Sequence, residues 1–269
     1  MSLFRSDKKS PRRLIICILL VTLAICAGVM IVQRIQAKIG HKTYDEALKI
    51  ATQAPPSSQP KSNVSARQEL KDIPSVHDPY VSATLNEIYL SSLQNVNPDV
   101  LGWLYIPGTG ISYPFMKTDD NEFYLTHDWK GQKYIDGAIF VDCRNSIDGT
   151  DFNTIIYGHN KEDGYMFSDL MEYKKQDYYT HHPYIYLLTP GGIFRYRIFS
   201  AHELEADGYA YQLKNMSAQD FLKESKERSV IKTNTDVDPN DKIITLSTCN
   251  GYLTDTRFVV QAVMDGILK

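Results

Sequence analysis

The chain has 269 residues, of which 43% are hydrophobic and 23% charged, and such a composition can form a packed core in one or two domains. Its formal net charge is -3, so it lacks the basic excess of nucleic-acid-binding proteins, and nucleic acid is not expected as a partner.

The N-terminal segment combines positive charge with an apolar run. Residues 14–32, LIICILLVTLAICAGVMIV, carry no charge, and a helix of that length crosses the hydrocarbon core of a bilayer. A cleaved signal peptide is the alternative, but its apolar region is shorter, and the following QRIQAK offers no small-x-small cleavage site. We therefore predict an uncleaved anchor with a cytoplasmic N-terminus, because the residues before it are rich in positive charge: Arg5, Lys8, Lys9, Arg12 and Arg13.

Changes in composition predict the boundaries of the remaining parts. Residues 1–13 form the cytoplasmic N-terminus and residues 14–32 the transmembrane anchor. Residues 33–75 form an extracellular stalk and linker, since APPSSQPKSNVSA at 54–66 is rich in Pro and Ser. Residues 76–269 form the compact domain.

The compact domain begins with one predicted helix and continues mainly as strands. Residues 81–96 carry apolar side chains at helical spacing. Short apolar runs bounded by turn residues predict strands in VLGWLYIPGTGISYPFM, DGAIFVD and NTIIYGHN, and HPYIYLLTPGGIFRYRIFSAHEL predicts a hairpin. Late in the chain Ser217 and Asp220 resemble a capping box and predict a helix between strands. Many short strands and few helices indicate a closed β-barrel.

The stretch KIITLSTCNGYLTDTRFVV, residues 242–260, predicts a second hairpin with Cys249 and Arg257 at its mouth. Alternation of side chains puts Cys249 at the exit of one strand and Arg257 at the start of the next, facing each other. A guanidinium there can favour the thiolate or bind the oxyanion of an acyl transfer. The alternatives are a solvated Arg beside an inert Cys, or a disulfide between Cys249 and Cys143.

Acyl transfer by a thiol also needs a proton carrier, and His159 is the candidate. It follows the apolar run NTIIYG and precedes a polar loop, so it lies at a strand exit like Cys249. A structural role is the alternative reading for a single histidine. The spacing of Cys and His predicts no metal site, and the glycine-rich turns lack the setting of a phosphate loop, so neither a metal nor a cofactor is expected.

Together, the N-terminal anchor, YGHN, TLSTC and the Arg that opens the next strand resemble the sortases, the cysteine transpeptidases of Gram-positive cell surfaces. NPDVLGWLYIPGTGISYP, the sequence from NTIIYGHN to GYMFSDL, and the helices before the barrel and in the late connection resemble class B sortases in particular. The resemblance implies a mainly β fold, an eight-stranded sortase barrel over 76–269 with N-terminal helices and a helix in the late inter-strand connection. It also implies roles for five residues: Cys249 as nucleophile, His159 as acid and base, Arg257 as oxyanion or substrate stabiliser, and Ser247 and Thr248 in shaping the substrate groove.

The implied reaction cleaves a C-terminal sorting motif of secreted proteins after its Thr and holds the acyl group as a thioester. An amine of a peptidoglycan precursor or of a pilin lysine then takes the acyl group, so wall anchoring and pilus assembly both remain open. The catalytic domain would lie outside the cell, tethered to the membrane. Two alternatives remain: a membrane-tethered cysteine protease that ends in hydrolysis, and a non-catalytic surface module. In this family a disulfide at Cys249 would abolish the nucleophile.

Overall fold

The computed structural model describes residues 11–55, 73–146, 151–161, 164–213, 215–249 and 255–268. The chain divides into two units, Met1–Lys42 and Thr43–Lys269. In the first unit Ile15–Val32 is helical, solvent-exposed and of mean hydropathy 3.1, so it is long and apolar enough to cross a membrane.

The described part of the chain contains five α-helices and nine strands. The helices are α1 (Pro11–Ala51), α2 (Pro79–Asn86), α3 (Leu90–Gln94), α4 (Gln176–His181) and α5 (Ala218–Arg228). The strands are β1 (Ser75–Val76), β2 (Val100–Tyr105), β3 (Ser112–Met116), β4 (Ile139–Val141), β5 (Asn153–Tyr157), β6 (Tyr184–Thr189), β7 (Gly192–Glu205), β8 (Ile243–Cys249) and β9 (Thr256–Leu268). Short 3-10 turns cover Phe123–Leu125, Ser168–Lys174 and Tyr209–Tyr211.

Eight strands close into a barrel in the order β9, β7, β6, β2, β3, β4, β5, β8, and β8 returns to pair with β9. The two-residue strand β1 lies outside the closed ring, parallel to the end of β9. The predicted mainly β barrel with N-terminal helices is therefore confirmed. Two of its pairings are parallel: β3 with β4, and β5 with β8. Parallel strands cannot be joined by a hairpin, so each of these pairs is connected through a longer segment.

Local sequence signals explain several element boundaries. In the predicted hairpin of β6 and β7, Thr189 pairs with Gly192, so Pro190 and Gly191 form the turn. The backbone φ of Gly192 is 136°, a conformation that L side chains rarely adopt. Helix α5 starts after Ser217, whose hydroxyl accepts from the amide of Asp220 at 3.1 Å. The predicted late helix is thus confirmed.

The helix predicted over 81–96 is instead two short helices, α2 and α3, and a tertiary contact accounts for the break. Asp78 caps α2 by accepting from the amide of Val81, and Pro79 occupies the first turn, so α2 starts before the predicted helix. Between the helices, the amide of Tyr89 donates to the carbonyl of Ala51 at the end of α1, at 2.7 Å. In a continuous helix this amide would donate to the carbonyl four residues earlier, so the bond to Ala51 interrupts the helix.

The barrel has an interior core and a second apolar cluster on its outer surface. The core includes Trp103, Ile156, Leu246 and Phe258. The outer cluster lies beneath α5 and combines Phe221 and Leu222 of that helix with side chains of β7, β8 and β9: Phe199, Leu204, Ile243, Val259 and Val263. Alternate residues of β8 thus face opposite sides of the sheet, as strand geometry requires.

Part of the segment predicted as a stalk packs within the second unit. Tyr44 is 5% exposed, Ala47 and Ala51 are fully buried, and the Tyr44 hydroxyl donates to the carbonyl of Gly137 at 3.0 Å. The Trp129 indole donates to the carbonyl of Thr43. The packed core of this unit therefore already includes side chains from 43–51, ahead of the predicted start at 76.

Candidate active site

Strand β8 carries Cys249 at its end and lies between two partners. It runs parallel to β5, with Tyr157 beside Ser247, and antiparallel to β9. Cys249 is paired with Arg257 in the register of β8 and β9, which confirms the predicted hairpin. Directly paired residues of antiparallel strands project to the same face of a sheet. The side chain of Cys249 itself lies outside the described part of the structure.

His159 reaches the same end of the barrel through β5. The amide of Gly158 donates to the carbonyl of Ser247 at 3.1 Å, which continues the pairing with β8 one residue past Tyr157. His159 is therefore two residues beyond Tyr157, as Cys249 is two residues beyond Ser247. A side chain at position 158 would come within 2.7 Å of atoms of Ile139 and Phe167, so the close approach requires glycine there.

The imidazole of His159 is partly buried and held by a backbone group. Nε2 lies 3.0 Å from the carbonyl oxygen of Leu125, and because a carbonyl only accepts, Nε2 carries the hydrogen. Burial lowers the pKa of His159, and the positive charges of Lys161 and Arg257 lower it further, against the opposing effect of the Leu125 hydrogen bond. The neutral ring, with Nδ1 unprotonated, is therefore the favoured form at pH 7.

His159 and Arg257 line one cavity of about 320 Å³, together with Ser247 and Thr248. The wall also includes Leu125, whose carbonyl binds His159, and residues farther along the barrel: Asn121, Phe140, Arg144, Tyr157, Gly158, Ala206 and Tyr211. Among the described residues that line the cavity, none is acidic. An anion that forms inside it would therefore meet positive rather than negative side chains.

The guanidinium of Arg257 is available to a ligand. Nη1 donates to the carbonyl of its neighbour Thr256 at 3.2 Å, and no carboxylate in the described ranges forms an ion pair with it. Its charge also acts on His159, whose pKa it lowers. Arg257 can therefore donate to a second oxygen without giving up an ion pair.

Ser247 and Thr248 are both buried beside the end of β8 and differ in their partners. The Ser247 hydroxyl lies 2.8 Å from the hydroxyl of Tyr211. The Thr248 hydroxyl has no hydrogen-bond partner among the described residues. Both line the cavity wall, so they are placed to shape a groove.

Two other histidines and a second cysteine of the described chain lie outside this cavity lining. His127 stacks on Phe123 with ring centroids 4.0 Å apart, and His182 binds the carbonyl of Pro107. Cys143 is a free thiol. Within the described ranges, no group of three His, Cys, Asp or Glu side chains could hold a metal ion.

Eight of the residues that line the cavity were not predicted as part of the site, among them Leu125, Arg144 and Tyr211. These three come from connections between strands, where no periodic pattern predicts the path of the chain. In the sequence, Leu125 is distinguished only by its position after a polar turn. Arg144 is distinguished only by its position directly after the run DGAIFVDC. Neither signal connects these residues to His159.

Comparison with known proteins identifies the family of this arrangement. Residues 104–265 match the model of the Sortase domain family. The chain is 40% identical over 164 residues to Sortase B of Listeria monocytogenes, a match that covers 60% of this chain and 67% of that protein.

Solved structures agree with this assignment. A Staphylococcus aureus sortase B-substrate complex superposes with a TM-score of 0.68 at 26% identity, covering 86% of this chain and 98% of that one. A structure of sortase B complexed with triglycine superposes with a TM-score of 0.61 at 31% identity, covering 69% of this chain and 90% of the other.

Proposed function

The chain belongs to the sortase family of cysteine transpeptidases, and to class B within it, and on this basis we propose that Cys249 is its nucleophile, His159 its acid and base, and Arg257 its oxyanion stabiliser. One observation carries the proposal. Strand β8, which ends on Cys249, pairs on one side with the strand that leads to His159 and on the other with the strand that opens on Arg257.

In the first half of the reaction, the Cys249 thiol gives its proton to Nδ1 of His159, and the resulting thiolate attacks the carbonyl carbon of the Thr in a sorting motif. The electron pair of the carbonyl moves to its oxygen, to which the Arg257 guanidinium donates hydrogen bonds. When this intermediate collapses, the carbon–nitrogen bond breaks and His159 gives a proton to the departing amine. The Thr acyl group remains on sulfur as a thioester.

In the second half, an amine attacks the thioester and gives up a proton to His159. The carbon–sulfur bond breaks, Cys249 returns as the thiolate, and a new amide joins substrate and acceptor. Because Nε2 is bound to the Leu125 carbonyl, Nδ1 is the nitrogen that exchanges the proton in both halves. Arg257 again faces the oxyanion.

The proposed partners are secreted proteins with a C-terminal sorting signal and an acceptor amine. The acceptor is an amine of a peptidoglycan precursor or a lysine of a pilin. Structures of sortase B with a substrate and with triglycine support a groove that takes a peptide and an amine. Ser247 and Thr248, buried in the cavity wall, would shape the substrate side of this groove without transferring protons.

We further propose the membrane topology that the charge distribution indicates. Residues 1–13 would lie in the cytoplasm and 14–32 in the membrane, with the rest of the chain outside the cell. The predicted stalk over 33–75 would then lead to the catalytic domain over 76–269, and residues 43–51 of that stalk pack within the catalytic unit. The apolar helix Ile15–Val32 supports this arrangement. Protease treatment of intact cells should remove the catalytic domain and spare an N-terminal tag; loss of the tag would refute the orientation.

The catalytic proposal is tested with the full-length protein in detergent micelles. A pool of Thr-containing peptides is supplied with triglycine or a lysine amide, and mass spectrometry follows acyl-enzyme and ligated product. Transpeptidation predicts a thioester on Cys249 and a peptide–amine product, both absent in Cys249→Ala. Cleavage without ligation at every amine concentration would identify a hydrolase instead. Full activity of Cys249→Ala would refute a catalytic thiol.

A further inference from the structure

Tyr44 is a buried tyrosine of α1 whose hydroxyl holds the backbone of a distant connection. It is 5% exposed, and its hydroxyl donates to the carbonyl of Gly137 at 3.0 Å. Burial raises the pKa of Tyr44, and the negative charge of Asp128 raises it further, so the hydroxyl keeps its proton at physiological pH. This hydrogen bond is therefore independent of pH in that range.

The Gly137 backbone lies directly against the carbonyl that binds the imidazole. Gly137 has a φ of 58°, and a side chain there would come within 2.8 Å of the Leu125 carbonyl oxygen. The amide of Ala138 donates to the carbonyl of Tyr124 at 2.9 Å, which fixes the two segments side by side. Since Leu125 accepts from Nε2 of His159 at 3.0 Å, a shift of Gly137 would move the acceptor of the ring.

A second path leads from the Tyr44 ring to the backbone of His159. The ring packs edge-on against Tyr113, with centroids 5.2 Å apart, and the Tyr113 hydroxyl accepts from the amide of Met166 at 3.3 Å. The amide of the next residue, Phe167, donates to the carbonyl of His159 at 2.9 Å. Met166 has a φ of 56°, a strained conformation that persists only where the surroundings hold it. The Tyr113 contact is part of that support.

Two further contacts attach α1 to the connection between β3 and β4, residues 117–138. The indole of Trp129, which is fully buried, donates to the carbonyl of Thr43 at 2.9 Å. Lys130 forms an ion pair with Glu46 at 2.5 Å. Together with the bond from Tyr44, residues 43–46 thus hold this connection at three points.

We propose that Tyr44 is a positioning residue that fixes the tautomer and the direction of the His159 imidazole. It acts on the ring through the Leu125 carbonyl and on the backbone through Tyr113, and it is not among the residues that line the cavity. The inference rests on the proposed function, in which Nδ1 exchanges the proton. A ring that turns freely presents Nδ1 for only part of the time, and a displacement of about 1 Å can cost about 10² in rate.

Tyr44→Phe tests the proposal, because it removes the hydroxyl and keeps the ring against Tyr113. In the full-length protein in detergent micelles, we expect kcat for ligation of a Thr-containing peptide to triglycine to fall about tenfold. KM should stay within about twofold, since no cavity residue changes. Tyr173→Phe is the matched control: Tyr173 is also fully buried and donates to a backbone carbonyl, that of His182, at 2.7 Å, away from the cavity lining. It should keep the wild-type kcat.

Nitrogen-15 chemical shifts of the imidazoles report the position of the proton without any turnover. At pH 8, where His159 is neutral, they distinguish a hydrogen on Nε2 from one on Nδ1, and the signals missing in His159→Ala identify this residue. The wild type and Tyr173→Phe should carry the hydrogen on Nε2, bound to Leu125. Tyr44→Phe should show a mixture of the two tautomers.

Two results would overturn the positioning role. The first is a wild-type kcat in Tyr44→Phe with the hydrogen of His159 still on Nε2 alone. The second is an equal fall of kcat in Tyr44→Phe and Tyr173→Phe, which would mean a general effect of a lost buried hydrogen bond. Should Tyr44→Phe fail to fold, Tyr113→Phe decides, and a wild-type rate and tautomer in that variant would overturn the proposal.

Failure of the proposed function gives a different result. A wild-type protein that ligates no Thr-containing peptide would refute transpeptidation. The tautomer of His159 in Tyr44→Phe would still decide whether Tyr44 positions the ring, because that measurement requires no substrate.

Discussion

His159 combines partial burial with a tautomer that is fixed by the hydrogen bond from Nε2 to the Leu125 carbonyl. Replacing His159 with Ala should leave a folded protein whose transpeptidation rate is lower by a factor of about 10² to 10⁴, the range that positioned acid–base groups contribute. Turnover of a sorting peptide and the melting temperature are the two measurements.

The matched control is His127→Ala, since His127 is partly buried, as His159 is, and stacks on Phe123 outside the cavity lining. It should retain normal turnover. A near-normal rate in His159→Ala would remove the proposed role of that residue.

Arg257 differs from lysine in having a planar fork of donors. Arg257→Lys keeps the positive charge but places a single ammonium where two donors can meet an oxyanion, so we expect kcat to fall by about 10². Steady-state kinetics measures this fall. Arg197→Lys, at a partly exposed position on β7, is the control for the general effect of replacing a guanidinium by an ammonium. Wild-type kinetics in Arg257→Lys would mean that Arg257 is only a surface charge.

At this scale, strand alternation was sufficient to predict that Cys249 and Arg257 pair, because both lie in one hairpin. The contact between Arg144 and Tyr211 was not predictable in the same way. Arg144 and Tyr211 are separated by many residues and meet only because the β4–β5 and β7–β8 connections return to the same place. Alternation and spacing describe neighbours on an element, not contacts between connections.

Helix α5 is attached to the barrel through a buried polar network as well as through apolar packing. His202 on β7 contacts the Ser200 hydroxyl through Nδ1 at 3.0 Å and the Tyr209 hydroxyl through Nε2 at 2.9 Å. Ser200 donates its own hydrogen to the carbonyl of Ser225 in α5, so it must accept from Nδ1. Nδ1 therefore carries a hydrogen, and burial of the ring favours the neutral form of His202.

This network predicts a pH dependence of stability. Burial, reinforced by the charge of Arg228 and opposed by Glu224, lowers the pKa of His202 to about 4, against about 6.5 in the unfolded chain. Between these values the unfolded chain binds a proton that the folded protein does not. The free energy of unfolding should therefore fall as the pH falls from 6.5 towards 4, by about 3 kcal/mol from this group.

Urea unfolding at pH 7.5 and pH 4.5 measures this effect. Because other groups also titrate in that range, the informative quantity is the difference between the wild type and His202→Gln, which lacks the titrating group. The variant should be less stable at pH 7.5 and should lose less stability on acidification. The same pH dependence in both proteins would contradict the assignment to His202.

Helices and turns were predicted correctly where they depend on residues close in sequence. The prediction failed where a contact with a distant residue changes the local structure. The turn of the β6–β7 hairpin and the Ser217 cap of α5 depend on residues a few positions apart, and both were found. The helix predicted over 81–96 was wrong as one element, because the Tyr89 amide binds the distant carbonyl of Ala51. Spacing within 81–96 contains no information about the end of α1.

In the whole molecule, the second unit includes residues before the predicted compact domain. Removal of residues 1–42 should release the protein from membranes and leave it folded, because the unit Thr43–Lys269 is intact. Removal of residues 1–51 also takes away Tyr44, which packs edge-on against Tyr113, and the buried Ala47 and Ala51. We expect that loss to lower the free energy of unfolding by about 3 kcal/mol or more.

Thermal unfolding and guanidinium titration of the two truncated proteins measure this difference. Equal stability of the two proteins would show that residues 43–51 contribute nothing to the free energy of unfolding of the barrel. Unfolding of the protein that lacks only residues 1–42 would contradict the division into two units.

The barrel as a whole was predictable from a combination of composition, hairpin signals and the resemblance of YGHN and TLSTC to a known family. Its strand order was not. Strand β4 lies parallel to β3, and β8 lies parallel to β5. The spacing of apolar residues does not indicate which strands lie side by side when they are distant in sequence.

The position of β8 between β5 and β9 also sets the order in which the proposed site would form. Synthesis proceeds from the N-terminus, so β5 emerges long before β8, and β9 follows last. Until β8 has paired with β5 and β9 with β8, the strands that lead to His159, Cys249 and Arg257 are not held side by side. Under the proposed roles, a nascent chain would therefore be inert towards substrates, and competence would appear only after the final strand has docked.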